Sequence, residues 1–298
     1  MRGFLGAALI CATATLAHSQ ETTVSTARGE VALDAVPETV VTLDLAILDI
    51  LDALEVPVAG VTAGFKPAYL SAYAEAPYAQ LGSPFEPDIE KLAALSPDLV
   101  IVAGRSSTKY DEVAAMAPTI DLTTDATQLV ASLTRNMTTL GGLFDKQDEA
   151  AGLLAGLEEK FASVRERAAD AGTALVILTT GGRMSTHGAQ GRFATIFNEM
   201  GFTPALEQVK AGTHGQPISN EFILETNPDW IFVVDRDAAI GRDGQPAEQM
   251  LDNPLVRRTT AWQKGQVVFL DAADWYLVGA GPRALDRALS QISSELED

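Results

Sequence analysis

Arginine is the residue type whose spacing in this chain most clearly indicates a binding function. Arg105 and Arg236 each follow a Glu, a Pro-Asp pair and an apolar run at identical spacing. The two copies are Glu90, Pro97, Asp98, Arg105 and Glu221, Pro228, Asp229, Arg236. A guanidinium is always charged, presents planar donors and stacks on aromatic faces. The repeat therefore predicts two cations that serve one anionic ligand, although a surface salt bridge is the alternative for each.

Three more residues are candidates for the same site. Arg192 lies in Gly191-Arg192-Phe193 at an expected helix start, and His214 lies between glycines in a loop. Tyr276 follows Asp274-Trp275, and its phenolic oxygen suits a hard ferric ion. Because few histidines are present, a zinc or manganese site built from several of them is not expected. A structural His214, and a Tyr276 packed at a strand end, remain open alternatives.

The chain has no convincing catalytic constellation. Its single cysteine, Cys11, lies near the N-terminus, and neither Gly-x-Ser-x-Gly nor His-Glu-x-x-His occurs. Carboxylates are so numerous that any glycosidase-like pair would be arbitrary. We therefore expect a binding protein rather than an enzyme.

The repeat also indicates which elements position the arginines. Each Glu should lie on a helix that ends before Pro, and a buried parallel strand should then carry the Arg past its C-terminal end. Ligands of open α/β sheets bind outside the carboxyl ends of the strands. Two such units predict two lobes and one shared cleft. Strands are expected at 39–43, 56–61, 98–103, 119–122, 174–179, 230–234 and 266–270.

The middle of the chain, 126–171, is helical in composition. Gly141-Gly142 and Asp145-Lys146 should divide it into two helices. The second, near 149–169, would be about 30 Å long and could join the lobes as a strut, or be an ordinary surface helix. The predicted organisation is an N-terminal lobe at 20–145, an interlobe helix at 146–171 and a C-terminal lobe at 172–298.

Residues 1–19 predict a cleavable signal peptide. Arg2 precedes the apolar stretch 4–17, which is too short to span a bilayer, and Ala17-His18-Ser19 is a small-x-small cleavage site. A lipoprotein anchor at Cys11 is the competing interpretation. We expect an exported, periplasmic protein. Without Arg2 the net charge of −19 becomes −20, which argues against nucleic-acid binding.

Several short motifs together resemble a known family, the catecholate-siderophore branch of the class III periplasmic binding proteins. The resemblance covers essentially the whole chain after the signal peptide. The motifs are Gly-Arg-Ser-Ser-Thr-Lys-Tyr (104–110), Ala-Pro-Thr (117–119), Gly-Arg-Phe (191–193), Gly-Thr-His-Gly (212–215), Ser-Asn-Glu-Phe-Ile-Leu-Glu-Thr-Asn-Pro-Asp (219–229), Val-Asp-Arg (234–236) and Trp-Tyr-Leu (275–277).

This resemblance implies an α/β fold of two Rossmann-like lobes, each a three-layer α/β/α sandwich, joined by one long helix. It also implies a monomer with no permanently bound cofactor. The ligand would be a ferric catecholate siderophore, delivered to an inner-membrane ABC permease. A cobalamin or haem receptor of the same fold is the alternative, and a periplasmic hydrolase is a more distant one.

The resemblance also implies roles for individual residues. Arginines at the positions of Arg105, Arg192 and Arg236 face the catecholate oxygens, and His214 and Tyr276 complete the coordination of ferric iron. Glu90 and Glu221 pair with arginines of the permease. Relatives often carry a second Tyr before Trp-Tyr, where this chain has Asp274. If that other Tyr is the iron ligand of the relatives, this chain lacks it.

Overall fold

The first half of the chain forms a parallel sheet. The structure is a computed structural model that describes residues 22–209 and 215–297; the predicted signal peptide lies outside them. A β1–β2 hairpin precedes the sheet, whose strand order is β5-β4-β3-β6-β7. The elements are β1 Thr22–Thr26, β2 Gly29–Leu33, β3 Val40–Thr42, α1 Leu45–Ala53, β4 Gly60–Val61, β5 Ala79–Gln80, α2 Ile89–Leu95, β6 Leu99–Val102, α3 Tyr110–Ala114 and β7 Thr119–Asp121, with a 3₁₀ helix at Ala68–Ala74.

Two helices connect this sheet to the second half. Helix α4 spans Leu129–Leu143 and helix α5 spans Gln147–Ala168. They separate at Asp145, which has a left-handed φ of 61°. The predicted division into two helices is therefore confirmed at Asp145-Lys146, whereas Gly141 and Gly142 lie within α4. The residue bounds of the two lobes remain a prediction.

The second half contains a mixed sheet with the order β11-β9-β8-β12-β13, and β10 pairs with β8. Strands β8, β12, β13 and β10 are parallel, whereas β9 runs antiparallel to β8 and β11. The elements are β8 Thr173–Thr180, β9 Arg183–His187, α6 Thr195–Asn198, β10 Thr203–Pro204, β11 Gln216–Ile218, α7 Asn220–Thr226, β12 Trp230–Asp235, α8 Arg236–Ala239, α9 Ala247–Leu251, α10 Thr260–Gln263 and β13 Val267–Phe269.

Strand β9 and the helix after it differ from the sequence prediction. Gly181 and Gly182 both have positive φ and form a two-residue turn that folds β9 back on β8. Strand β9 is absent from the strands that the sequence predicted. The helix expected to start near Arg192 is one short turn, Thr195–Asn198.

The chain ends by returning to the first half. A short π-helical segment, Ala273–Val278, precedes helix α11 at Pro282–Glu295. Helix α11 packs against both α5 and α1. Of the helices in the described ranges, none is long and apolar enough to cross a membrane.

The internal repeat has the predicted structure. Helices α2 and α7 both end in a left-handed residue, Ser96 in one and Asn227 in the other, directly before Pro. The next carboxylate, Asp98 or Asp229, accepts a backbone N–H from the start of a neighbouring strand segment, Thr39 or Thr173. A fully buried strand then follows, as expected for a parallel sheet covered on both faces.

Candidate ligand-binding site

Arg105 is positioned by the turn that follows β6. Gly104 adopts a left-handed φ of 49°, and the Ser106 hydroxyl accepts a hydrogen bond from the N–H of Ala103. Asp121, at the end of β7, accepts a 2.5 Å hydrogen bond from the Ser107 hydroxyl. The arginine is thus held at the edge of the sheet where the carboxyl ends of β6 and β7 meet.

Arg192 and Arg236 are positioned in the second half. Arg192 follows a turn closed by the N–H of Gly191 on the Gly188 carbonyl, and the buried Phe193 ring anchors it. Arg236 is the first residue of α8, directly after β12. The carboxylate of Asp235 caps that helix.

All three guanidinium groups converge on Tyr276. Nη2 of Arg105 donates to its carbonyl oxygen at 2.9 Å, and Nη2 of Arg192 donates to the same oxygen. Nε of Arg236 donates to the phenolic oxygen at 2.8 Å. The guanidinium carbons of Arg192, Arg105 and Arg236 lie 3.9, 5.3 and 5.6 Å from the ring centroid. The two halves therefore direct their cations to one place, as the repeat predicted.

These cations have little carboxylate compensation. Among the described residues, no carboxylate lies within salt-bridge distance of Arg105 or Arg192, and Arg236 has only Asp237 at 3.7 Å. Burial, followed by the charge of Arg105, lowers the pKa of Arg192 to about 10, so it stays charged at neutral pH. The cluster is a concentrated positive region in a chain of net charge −19.

The same cluster changes the acidity of Tyr276. Burial raises the pKa of its phenol, but the charge of Arg192, the hydrogen bond from Arg236 and the charges of Arg236 and Arg105 outweigh burial. The net pKa is lowered. A phenol that loses its proton more readily is a better ligand for a hard cation.

A cavity of about 440 Å³ opens beside this cluster. Residues from both halves line it, among them Asp44, Phe85, Arg105, Arg192, Trp275 and Tyr276. Arg236 is not among the residues that line this cavity, although it contacts the phenol of Tyr276. Phe85 is 60% exposed. Its ring is therefore accessible to a ligand that enters the cavity.

Asp274 has a structural role that sequence reasoning missed. Its buried carboxylate accepts hydrogen bonds from Nε and Nη2 of Arg287 on α11, at 2.8 and 2.6 Å. The Arg287 guanidinium also lies 3.8 Å from the ring of Tyr69. Asp274 thus fixes the segment to α11, while Tyr276, two residues later, contacts the arginines.

The remaining candidates are placed as follows. Glu90 and Glu221 are both exposed in the first turns of α2 and α7. His214 lies outside the described residues, so its position relative to Tyr276 stays a prediction. Across 22–209 and 215–297, no three His, Cys, Asp or Glu side chains form a potential metal site.

The fold and this cleft define a two-lobed α/β ligand-binding protein. A family model described as periplasmic binding protein matches residues 40–273, and the chain belongs to that family. The fold is that of the class III members, as the sequence predicted.

Several characterised proteins are similar to the chain. The petrobactin-binding protein YclQ of Bacillus subtilis is 38% identical over 264 residues, which cover 88% of this chain and 83% of YclQ. The crystal structure of YclQ matches with a TM-score of 0.89 at 36% identity, covering 94% of this chain and 99% of YclQ.

Two further relatives come from Vibrio species. The ferric-anguibactin-binding protein FatB of Vibrio anguillarum is 35% identical over 272 residues, covering 89% of this chain and 84% of FatB. The periplasmic catecholate-siderophore binding protein VctP of Vibrio cholerae matches with a TM-score of 0.88 at 29% identity, covering 92% of this chain and 100% of VctP.

Proposed function

We propose that the chain is the exported receptor of an ABC importer and that it captures an anionic ferric catecholate siderophore in the cleft between its halves. The observation that carries the proposal is the convergence of Arg105, Arg192 and Arg236 on Tyr276. Its relatives YclQ, FatB and VctP are named for binding petrobactin, ferric anguibactin and catecholate siderophores. The receptor would deliver its ligand to the inner-membrane permease unaltered, with no permanent cofactor.

The Tyr276 carbonyl prepares the site for an anion. A guanidinium has five N–H donors, and Arg105 and Arg192 each use one of them on this carbonyl. Their other donors have no hydrogen-bond partner among the described residues, so we expect them to face ligand oxygens in a fixed orientation. Orienting these side chains before binding reduces the entropy lost when the ligand arrives.

Arginines alone do not supply the affinity of a tight receptor. Hydrogen bonds to charged groups contribute about 1.5–3 kcal/mol each, whereas a nanomolar complex requires roughly 12 kcal/mol net. We propose that Tyr276 and His214 supply part of the remainder by coordinating ferric iron that the siderophore leaves incompletely ligated. Packing of catechol rings on Phe85 would supply another part.

Fluorescence titration of the purified protein tests this function. Trp275 lines the cavity, so a ferric bis-catecholate should quench tryptophan emission. Arg192→Gln should weaken binding at least about tenfold, the equivalent of one lost charge-assisted hydrogen bond. Arg257→Gln is the matched control, because Arg257 is exposed, pairs with Asp252 and does not line the cavity.

Three results would contradict the proposal. One is equal binding by the Arg192 variant and the wild type. Another is tighter binding of haem or cobalamin than of ferric catecholates, which would favour the alternative receptor. The third is turnover of model esters or glycosides, which would favour a hydrolase.

A further inference from the structure

The cleft contains an anion among its cations. Asp44 follows β3 and caps helix α1: its Oδ1 accepts the N–H groups of Ala46 at 2.8 Å and Ile47 at 3.3 Å. Asp44 also lines the same cavity as Arg105 and Tyr276. The Asp44 carboxylate therefore caps a helix and also lies at the cavity that a ligand would fill.

The second oxygen of Asp44 has no donor within the part of the chain that the structure describes. Capping uses Oδ1, and the Asp44 carboxylate forms no salt bridge to a described Lys or Arg. Gly104 borders Oδ2, and a Cβ atom added to this glycine would lie 3.4 Å from it. Since Gly104 has a left-handed φ of 49°, the turn both favours glycine and leaves this oxygen uncovered.

Burial makes it costly for Oδ2 of Asp44 to lose its water without gaining a hydrogen-bond donor. Burial raises the pKa of Asp44, although the N–H of Ile47, the charge of Arg105 and the N–H of Ala46 oppose the rise. The neighbouring carboxylate of Asp121 adds to it and takes up donors of its own from Arg28, Ser107 and Thr123. A ligand that fills the cavity would remove the remaining water from Oδ2, which is unfavourable unless the ligand supplies a donor.

We propose that Asp44 is a specificity residue that accepts a hydrogen bond from a protonated amine in the part of the ligand that does not chelate iron. The proposal rests on the function argued above. The preferred ligand then carries charge of both signs, with its anionic iron chelate at Arg105 and Arg192 and its ammonium group at Asp44. A wholly anionic complex would leave the Asp44 carboxylate buried beside like charge.

Two synthetic ferric complexes test this assignment. Both carry the same two catecholamide arms on linkers of equal length. One linker is all methylene, and in the other a secondary amine replaces one methylene. The wild-type protein should bind the amine complex about tenfold more tightly, the size of one charge-assisted hydrogen bond.

Asp44→Asn identifies the residue responsible. Asparagine caps helices as well as aspartate does, so this variant should fold, which its circular-dichroism melting curve will check. It should lose the preference for the amine complex, and it should bind the methylene complex at least as tightly as the wild type does, because the negative charge beside the anionic chelate is removed together with the charge-assisted bond. Asp88→Asn is the matched control: Asp88 caps α2 in the same way, but it pairs with Lys91 and does not line this cavity.

The outcomes separate this inference from the proposed function. If the wild type binds both complexes equally, or if Asp44→Asn keeps the full preference, the role of Asp44 is refuted while siderophore binding stands. If the wild type binds neither complex, both proposals fail. If Asp88→Asn also loses the preference for the amine complex, that preference comes from the overall charge of the protein. This result would also overturn the role of Asp44.

Discussion

The Nε atom of Arg236 donates a 2.8 Å hydrogen bond to the phenolic oxygen of Tyr276. The donor begins helix α8 directly after strand β12, and the acceptor lies in the π-helical segment before α11. The phenol therefore accepts a hydrogen bond from a cation before any ligand arrives. Its acidity reports directly on the arginine cluster.

Arg236→Gln should raise the pKa of Tyr276, because it removes both a positive charge and a charge-assisted donor. Ultraviolet difference spectra of tyrosinate formation, with Tyr276→Phe to assign the signal, will measure the shift. In the folded protein the pKa of the Tyr276 phenol is lowered, so the folded state loses the phenolic proton at a lower pH than the unfolded state does. The free energy of unfolding should therefore rise as the pH increases through the folded-state pKa. An unchanged tyrosinate titration would contradict the electrostatic role of Arg236.

Asp49 connects the first half of the chain to the last helix. It is fully buried in α1, and its Oδ2 accepts the N–H groups of Arg283 at 3.0 Å and Ala284 at 3.1 Å. These N–H groups belong to the first turn of α11, which lacks a capping side chain of its own. Asp49 thus caps α11 although it is distant from that helix in sequence. Helix α11 in turn fixes the Tyr276 segment through Arg287.

Asp49 should make stability depend on pH. Burial raises its pKa to about 6, against the opposing effects of Ala284, Arg287 and Arg283. A raised carboxyl pKa contributes stability that is full below its ordinary value of 3.8 and is lost as the pH rises through about 6. The free energy of unfolding of the wild type, relative to Asp49→Asn, should therefore fall over that window in denaturant titrations.

Asp125→Asn is the opposite-sign control for Asp49. Asp125 is an exposed cap, and the hydroxyl and N–H of Thr127 lower its pKa. Its contribution should be present at neutral pH and be lost as the pH falls through that lowered pKa. For each substitution, the measured quantity is the free energy of unfolding of the wild type minus that of the variant. If this difference changes with pH in the same direction for both substitutions, the assignment at Asp49 is contradicted.

Gly281 allows Asp49 to approach the helix so closely. A Cβ atom at Gly281 would overlap the Asp49 carboxylate, whereas one at Gly152 on α5 would meet nothing within 4 Å. Gly281→Ala should therefore destabilise the protein by about 1–3 kcal/mol through overpacking. Gly152→Ala should instead stabilise it by up to about 1 kcal/mol, because alanine is the better helix former.

Thermal or denaturant unfolding of the two glycine variants gives a matched comparison. Both replace glycine by alanine, so the intrinsic change in the unfolded chain is nearly the same. The difference between the two variants then combines the Asp49 contact with the local preferences of the two positions, because Gly281 is the N-cap of α11 and Gly152 lies inside α5. Equal effects of the two substitutions would show that Asp49 moves aside without loss.

Sequence reasoning identified the arginine cluster because a local pattern encodes it. Arg105 and Arg236 each follow a Pro-Asp start and a buried strand, and such positions lie at the carboxyl edge of their own sheet, whereas Arg192 was a candidate from its Gly-Arg-Phe motif. Tyr276 was a candidate on its chemistry alone. Its contacts with Arg105, 171 positions away, depend on how the halves pack and could not be derived from local spacing.

Other features depended on signals that were missed or absent. The pair Gly181-Gly182 between apolar and alternating segments is a two-residue hairpin signal, and it would have predicted β9. In contrast, nothing near Asp274 indicates its pairing with Arg287. The capping of α11 by Asp49 is equally non-local, because a distant carboxylate replaces the usual cap.

Glu90 and Glu221 lie at equivalent positions of the internal repeat. Each is exposed in the first turn of its helix, and both helices begin at the edge where the sheet strands that precede them end. The two carboxylates therefore mark corresponding points on the two halves, on the side that carries the cleft. We propose that they dock the receptor onto basic side chains of the permease.

Reversing both charges, with Glu90→Lys and Glu221→Lys, should reduce docking without affecting the cleft. Rim charges act on encounter rate and register more than on buried contacts. Each lysine at a helix start should cost only about 0.3–1 kcal/mol, so the protein should stay folded. Ligand titration should give an unchanged affinity, while binding to the permease in nanodiscs, and uptake by cells that depend on this receptor, should fall.

Glu159→Lys, on the exposed face of α5, controls for net charge. It should leave both docking and uptake at the wild-type level. Each single reversal should give a partial defect, and the wild-type interaction should weaken as salt increases, since exposed charges are screened over about 8–10 Å at physiological ionic strength. Full uptake by the doubly reversed protein would remove these glutamates from the docking surface and leave the ligand site unaffected.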